Sequence, residues 1–366
     1  MGKLRKISAF QLFLWMLTFT FGDMSIINPA VGHGAGQDSW IGFGIGWILG
    51  IFIMLMYMKI IKLNPSKNII EILKDCFGKY LGITFGIFYI VYFMYANSLI
   101  VREFGEYIYI VNYPDTPIIF IMTSLVFLVS FAVRGGPEII ARVYGILVYV
   151  FVFFVITVSL LLIPHIQFMN ILPILESGWY PIFKSSLSTV AFPFGELVVF
   201  MMIYDNVNNN ENIKKAAFSA MMIGGTIIFI TILRDIMVLG PKLLENLTFP
   251  AQTSSELIPD PMNISPLIAV NLIIGSSAES STYLYAATKG VAQMLNLDDH
   301  RPFIFPMALL LLILCMWNYN DIFQFFASVS EVYVYLAIPF QVIIPFIIMI
   351  ISLSKKRKIE SKDLNG

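Results

Sequence analysis

The chain has 366 residues, 58% of them hydrophobic and only 13% charged, with a mean hydropathy of +0.81. So little polar surface cannot cover a water-soluble globule of this size, and the composition is that of an integral membrane protein. A formal net charge of zero offers no basic field to nucleic acid, and two cysteines, Cys76 and Cys315, provide neither a disulfide framework nor a metal cluster.

Lys3, Arg5 and Lys6 lead into an apolar run that starts at Ala9. The run continues to Ala30 with no small-residue cleavage site behind it, so it reads as a first spanning helix and not as a signal peptide. Crossing a hydrocarbon core of about 30 Å at about 1.5 Å per residue takes about 20 residues. Ten apolar runs meet that need, near 9–31, 40–61, 80–110, 116–133, 137–163, 185–204, 214–239, 263–295, 302–318 and 322–351. With the N-terminus inside, 19 of the 23 lysines and arginines fall on cytoplasmic segments, and the exceptions are Arg102, Lys184, Arg234 and Lys242. That bias predicts both termini on the cytoplasmic side. Between the second and third spans, Ile69, Ile70, Ile72 and Leu73 stand among lysines and acids, the pattern of a short amphipathic helix on the inner surface. His33, His165 and His300 lack metal-ligand spacing and read as interfacial residues near helix ends.

Two spans carry interruptions. The sixth contains Phe192-Pro193-Phe194-Gly195-Glu196. Proline removes a backbone donor and clashes with the preceding turn, glycine weakens the helix further, and the carboxylate follows at bilayer depth. The first contains Gly22, Asp23 and Met24 about halfway along. Breaks in the first helix of each five-helix half are the pointer to a 5+5 inverted-repeat transporter fold, whose half-helix ends face a small polar ligand near the midplane. Exposed N–H groups there suit a carboxylate and exposed carbonyls suit an ammonium, so a zwitterionic amino acid fits. Kinks relieved by serines or water are the plainer alternative, and finding two at matching places weighs against it.

Further along the chain, Ser98 and Asn97 in the third span are candidate ligand contacts, while Arg102 and Glu106 are spaced for an ion pair within the helix. The eighth span holds a run of small polar residues from Gly275 to Thr282, in which Ser277 and Ser281 lie one turn apart and are chosen as the side nearest the breaks. Glu196, Glu279 and Glu331 are the carboxylates expected deepest in the bilayer, each a possible proton or polar relay or a neutral structural acid. Glu196 could also touch ligand directly. No phosphate loop, metal-ligating histidine pair or paired catalytic constellation is present, so neither a pump driven by nucleotide nor a membrane hydrolase is expected.

The short basic start, Ile7-Ser8-Ala9-Phe10-Gln11-Leu12 leading to Gly22, together with the element Phe192 to Glu196, resembles the spore germination receptor B-subunits, the endospore germination permeases. The resemblance covers essentially the whole chain. It implies membership in the amino acid, polyamine and organocation superfamily, with a leucine-transporter-type bundle in which broken helices 1 and 6 meet. Repeat one would cover about 9–163, repeat two about 185–351, and 352–366 would form a basic cytoplasmic tail. It further implies a nutrient-sensing subunit, commonly for amino acids, that needs no cofactor. The subunit would sit in the inner membrane of the bacterial endospore, in contact with lipid, an A-subunit and a lipoprotein C-subunit. One departure is visible: proton-coupled members of the superfamily often carry a lysine in the fifth span, whereas 137–163 has none and only Arg142 near its inner end. A proton-coupled amino acid transporter is therefore the second reading, behind a sensor.

Overall fold

The computed structural model describes residues 6–22, 34–208, 212–244, 246–259, 262 and 264–363. Asp23 and Met24 lie outside the described residues. The helices that matter here are labelled in chain order as α1 (Ala9–Thr20), α2 (Ser39–Leu63), α3 (Ile69–Tyr107), α4 (Ile118–Gly135) and α5 (Pro137–Leu161). Then come α6 (Trp179–Thr189), α7 (Ile213–Leu239), α8 (Pro266–Met294) and α9 (Ile304–Trp317). The last helical run, 322–363, is labelled α10. Among the described residues, seven helices are long and apolar enough to cross a membrane. The other three predicted spans are helical as well, but α1 and α9 are short and α8 is too rich in serine and other polar residues to meet the same measure.

The chain enters α1 through a capping box: Ser8 Oγ accepts from the Gln11 amide at 3.1 Å, and Gln11 Oε1 accepts from the Ser8 amide at 2.9 Å. The family-like start of the chain is thus a helix-initiation device. Asn68 and Glu71 do the same for α3. The apolar face expected to lie on the membrane, Ile69, Ile70, Ile72 and Leu73, is instead buried within the protein. This opening segment turns into the rest of α3 at Gly78, whose φ of 80° is open to glycine at little steric cost.

The helix pairings show an internal exchange. The pairs α1 with α7, α1 with α5, α1 with α8, and α8 with α4 are matched by α6 with α2, by the 190–202 stretch that continues α6 with α10 and with α3, and by α3 with α9. Replacing each helix by the one five places on carries one set into the other, while α3 with α8 and α2 with α7 map onto themselves. That is the pairing pattern a 5+5 repeat requires.

The connections sort onto two faces. On one, the amide of Ile7 donates to Asn206 O at 2.9 Å, Asn64 Nδ2 donates to Ser352 Oγ at 3.0 Å, Lys74 Nζ to Gln293 O at 3.3 Å, and Arg301 Nε to Arg134 O at 3.2 Å. On the other, Gln37 Nε2 donates to Pro173 O at 2.9 Å and Tyr107 OH to Gln252 Oε1 at 2.7 Å. The first group comprises the segments assigned above to the N-terminal side. Between the faces, large apolar side chains such as Phe52, Phe120, Phe153 and Leu309 are more than half exposed, as a lipid-facing surface demands. The tail expected from residue 352 begins as a continuation of α10, which runs on as helix to Asp363.

Candidate functional site

The sixth span departs from α-helix where the sequence says it must. After Thr189 the backbone passes through a π turn, Val190–Phe194, in which Phe192 has φ −150° and ψ 110°, and then a 3-10 stretch, Gly195–Met202. Carbonyls released by the break cannot stay bare in a buried setting. Gln341 Nε2 of α10 donates to Ala191 O at 2.9 Å, and Tyr57 OH of α2 lies 3.2 Å from Gly195 O and 2.6 Å from Gln341 O. Gln341 Nε2 also donates to Tyr92 OH at 2.8 Å, Tyr92 OH lies 3.2 Å from Tyr333 OH, and Tyr333 OH donates to the Glu196 carboxylate. A buried hydrogen-bond chain therefore runs from α10 through α3 to the acid behind the break. Phe192 meets the Tyr333 ring edge-on at 6.2 Å and Phe194 leans on Phe43 at 5.6 Å, which holds the interrupted segment from both sides. Gly195 has no alternative here, since an added Cβ would strike the Gln341 amide and come within 2.8 Å of Val190 O.

At the other break, α1 ends at Thr20, with Phe21 and Gly22 following. The carboxyl group of Glu279, on α8, occupies the space a Cβ on Gly22 would need, and a Cβ on Gly275 would lie 2.5 Å from Gly22 Cα. Two glycines thus let α1 and α8 touch backbone to backbone. Trp15 Nε1 bonds Thr282 Oγ1 at 2.9 Å along the same seam.

The structure brings together Gly22 with Glu279, and Phe192 to Glu196 with α10; it redirects several other predicted site residues. Ser277 and Ser281 face α5, not the broken helices: Tyr144 OH donates to Ser277 O at 2.8 Å and lies 2.8 Å from Ser281 Oγ, which itself bonds back to Ser277 O. Ser98 is committed to its own helix and to α9, through Tyr95 O at 2.7 Å and Asn318 Nδ2 at 3.1 Å. Glu331 is exposed while its neighbour Tyr333 is buried, so it takes no part in a buried relay with Glu196. The serines next to those chosen, Ser276 and Ser280, are fully buried with unbonded hydroxyls, as is Asn97 Oδ1, while Asn97 Nδ2 reaches Ser280 O at 3.4 Å. These unsatisfied polar atoms on α3 and α8 are what a small polar ligand or water between those helices would satisfy. Arg102 and Glu106 form the expected pair at 2.6 Å, with Arg102 also donating to Cys315 O at 3.1 Å.

Sequence reasoning did not single out Tyr57, Tyr92, Tyr144, Tyr333 and Gln341. Gln341 alone left a trace, an amide in an otherwise apolar run just after Pro339. In α5, where a lysine is missing, a neutral phenol supplies the polar contact to α8.

Comparison with known proteins gives a consistent result. A family model described as "Spore germination protein" matches residues 6–322. Spore germination protein KB of Bacillus subtilis is 32% identical over 97% of the chain and 96% of its own length, and spore germination protein YndE of the same organism is 23% identical over 87% and 88%. Among solved structures, MhsT in complex with L-phenylalanine superposes with a TM-score of 0.67 at 13% identity, covering 96% of this chain and all of that one. Mhp1, a nucleobase-cation-symport-1 family transporter in a closed conformation with bromovinylhydantoin bound, gives 0.67 at 11% identity over 89% and 75%. At such identities the likeness is one of fold, the leucine-transporter type.

Proposed function

Because the chain belongs to the spore germination protein family, we propose that it is a nutrient-germinant-sensing membrane subunit, binding an amino-acid-like ligand between its interrupted helices near the bilayer midplane. The observation that carries this is the way the α6 break is satisfied: its carbonyls are held by Gln341 of α10 and Tyr57 of α2, two side chains from separate elements. A ligand ammonium or hydroxyl that replaces either donor loosens α6 from that neighbour, while the unbonded groups of Asn97, Ser276 and Ser280 offer it a second anchor. Such a ligand shifts the bundle only by its differential affinity for the two arrangements, and exchanging protein donors for ligand donors supplies one. The change would pass to an A-subunit and a lipoprotein C-subunit in the inner membrane of the endospore, with both termini of this chain cytoplasmic. The role is binding and signalling, with no reaction and no cofactor.

A proton-coupled amino acid transporter is the second reading, favoured by the buried Glu196 with its phenol partner. Purified protein in liposomes separates the two. Saturable binding of an amino acid without counterflow or proton-driven uptake is expected; accumulation of the amino acid against its gradient would sink the sensor reading. Gln341→Leu, which frees Ala191 O and breaks the chain to Tyr92, should weaken that binding at least tenfold.

A further inference from the structure

Where α2 and α7 run side by side, lysines from both helices gather at the N-terminal face. On α2, Ile48, Phe52, Leu55, Lys59 and Lys62 are all exposed and recur with the helical period, so they form one stripe along the helix. The first three are apolar, and the two lysines stand in the last turns before the helix ends at Leu63. The start of α7 shows the same order: Lys214 and Lys215 are exposed in its first turn, and Phe218, exposed, and Met222, half-buried, follow along the same side. Small residues set the register between the two helices. A Cβ on Gly225 would strike the Trp47 ring and one on Gly50 would lie 2.8 Å from Met221 Cε, so the helices pack antiparallel with these positions opposed. Continued towards the lysines, that register brings Lys214 level with Tyr57 and all four lysines within about two turns of one another along the seam. None of the four has an acidic partner among the described residues. Elsewhere on this face basic side chains are spent on the protein itself: Lys67 on Asp75, Arg142 on Glu138 and Lys289 on Asp205, each at 2.6 Å.

We propose that this seam binds an anionic phospholipid with two phosphates, of the cardiolipin class, its phosphates on the lysine pairs of α2 and α7 and its acyl chains along the apolar parts of both stripes. Charge selects the headgroup. Four ammonium groups without a counter-acid repel one another, and a phosphatidylcholine headgroup, which carries its own cation, relieves little of that repulsion. Two phosphates joined through one glycerol match two lysine pairs carried by two helices, and an ammonium binds phosphate as a point charge without the fixed geometry an arginine imposes. Length selects a lipid over a free phosphate ion. From Lys59 back to Ile48 the stripe spans roughly 16 Å at about 1.5 Å per residue, close to half of a hydrocarbon core of about 30 Å, and so to the reach of one leaflet's chains. The site lies on the outside of the bundle and does not depend on where a nutrient binds within it.

Native mass spectrometry of the purified full-length protein in neutral detergent tests it, with cardiolipin, phosphatidylglycerol and phosphatidylcholine offered at equal phosphate. Cardiolipin adducts are expected at least tenfold above phosphatidylcholine adducts and at least threefold above those of phosphatidylglycerol, and millimolar inorganic phosphate should leave them in place. The double variants Lys59→Gln with Lys62→Gln and Lys214→Gln with Lys215→Gln should each lower cardiolipin retention at least fivefold while the protein stays monodisperse. Lys79→Gln with Arg134→Gln removes as much exposed charge from the same face away from the seam and should leave retention unchanged. Equal retention of cardiolipin and phosphatidylcholine, no preference over phosphatidylglycerol, or displacement by inorganic phosphate would overturn the proposal. So would an equal loss in the control variant, which would mean that the basic face attracts lipid as a whole and that the seam is no site.

Discussion

At the scale of single residues, the two breaks rest on glycines that admit no substitute. In Gly195→Ala the new methyl meets the amide of Gln341, which has nowhere to go without releasing Ala191 O and Tyr92. Overpacking of this kind costs about 1–3 kcal/mol, and a fall of several degrees in the thermal midpoint of the purified protein is the expected outcome. Gly22→Leu collides with the Glu279 carboxyl and should abolish the ligand response while protein still reaches the membrane, as read by membrane immunoblot beside the functional assay. Glu196 lends itself to a paired test. Glu196→Gln keeps an oxygen for the Tyr333 hydroxyl and should melt near the wild type, whereas Glu196→Leu strands that buried donor at a cost of about 1–3 kcal/mol. Equal melting of the two variants would show that the Tyr333 contact contributes nothing. These residues were legible to different degrees. Gly22, Pro193, Gly195 and Glu196 stand out because their chemistry conflicts with a continuous apolar helix. Gln341 shows only as an amide in an apolar run, and its role stays hidden because its partners lie 150 positions away or more in the chain.

Elements are read well by period and poorly by phase. The i, i+4 spacing of Arg102 and Glu106 suffices for their pair because both ends sit on one helix. Ser277 and Ser281 do share a face, yet which neighbour that face meets is set by how α8 is rotated in the bundle, and α5 occupies it with Tyr144. Glu331 fails for the same reason: depth along a span says nothing about side, and the π turn at Val329–Tyr333 buries Tyr333 and leaves the acid outside. The Arg102–Glu106 pair gives the test at this scale. Removing one member of a buried pair costs about 3–5 kcal/mol, since the other charge remains without compensation. Arg102→Met should therefore destabilise far more than the double variant Arg102→Met with Glu106→Leu, measured by thermal unfolding in detergent.

For the molecule as a whole, composition and the spacing of apolar runs make the membrane bundle legible, and the matched breaks point to its repeat. What pattern could not supply is the closure of the N-terminal face. There Lys289 Nζ bonds both oxygens of Asp205 at 2.7 and 2.6 Å and Met202 O at 2.8 Å, beside the bridge between Ile7 and Val207. Lys289→Met should release this closure and raise deuterium uptake over residues 6–20; unchanged uptake would mean that the ion pair does not hold the face shut. The same face carries a pH signature. Burial lowers the pKa of His300, in the loop between α8 and α9, against the raising influence of Val133 O and Asp299, with Arg301 and Lys289 adding to the lowering. A depressed histidine favours the folded state when neutral, so its contribution is whole above the unfolded value of about 6.5 and is lost as pH falls below it. The thermal midpoint should drop between pH 7.5 and 5.5, and by less in His300→Gln.

The chain of groups behind the α6 break also bears on conduction. Phenols can receive a proton on one side and give one up on the other, but a carboxamide passes none along. Tyr92 receives its hydrogen bond from the Gln341 carboxamide, so toward α10 the phenols Tyr333 and Tyr92 that follow Glu196 end at a group that relays no proton. A proton on Glu196 thus has no exit through Gln341, and coupled movement of protons would need a route elsewhere in the bundle.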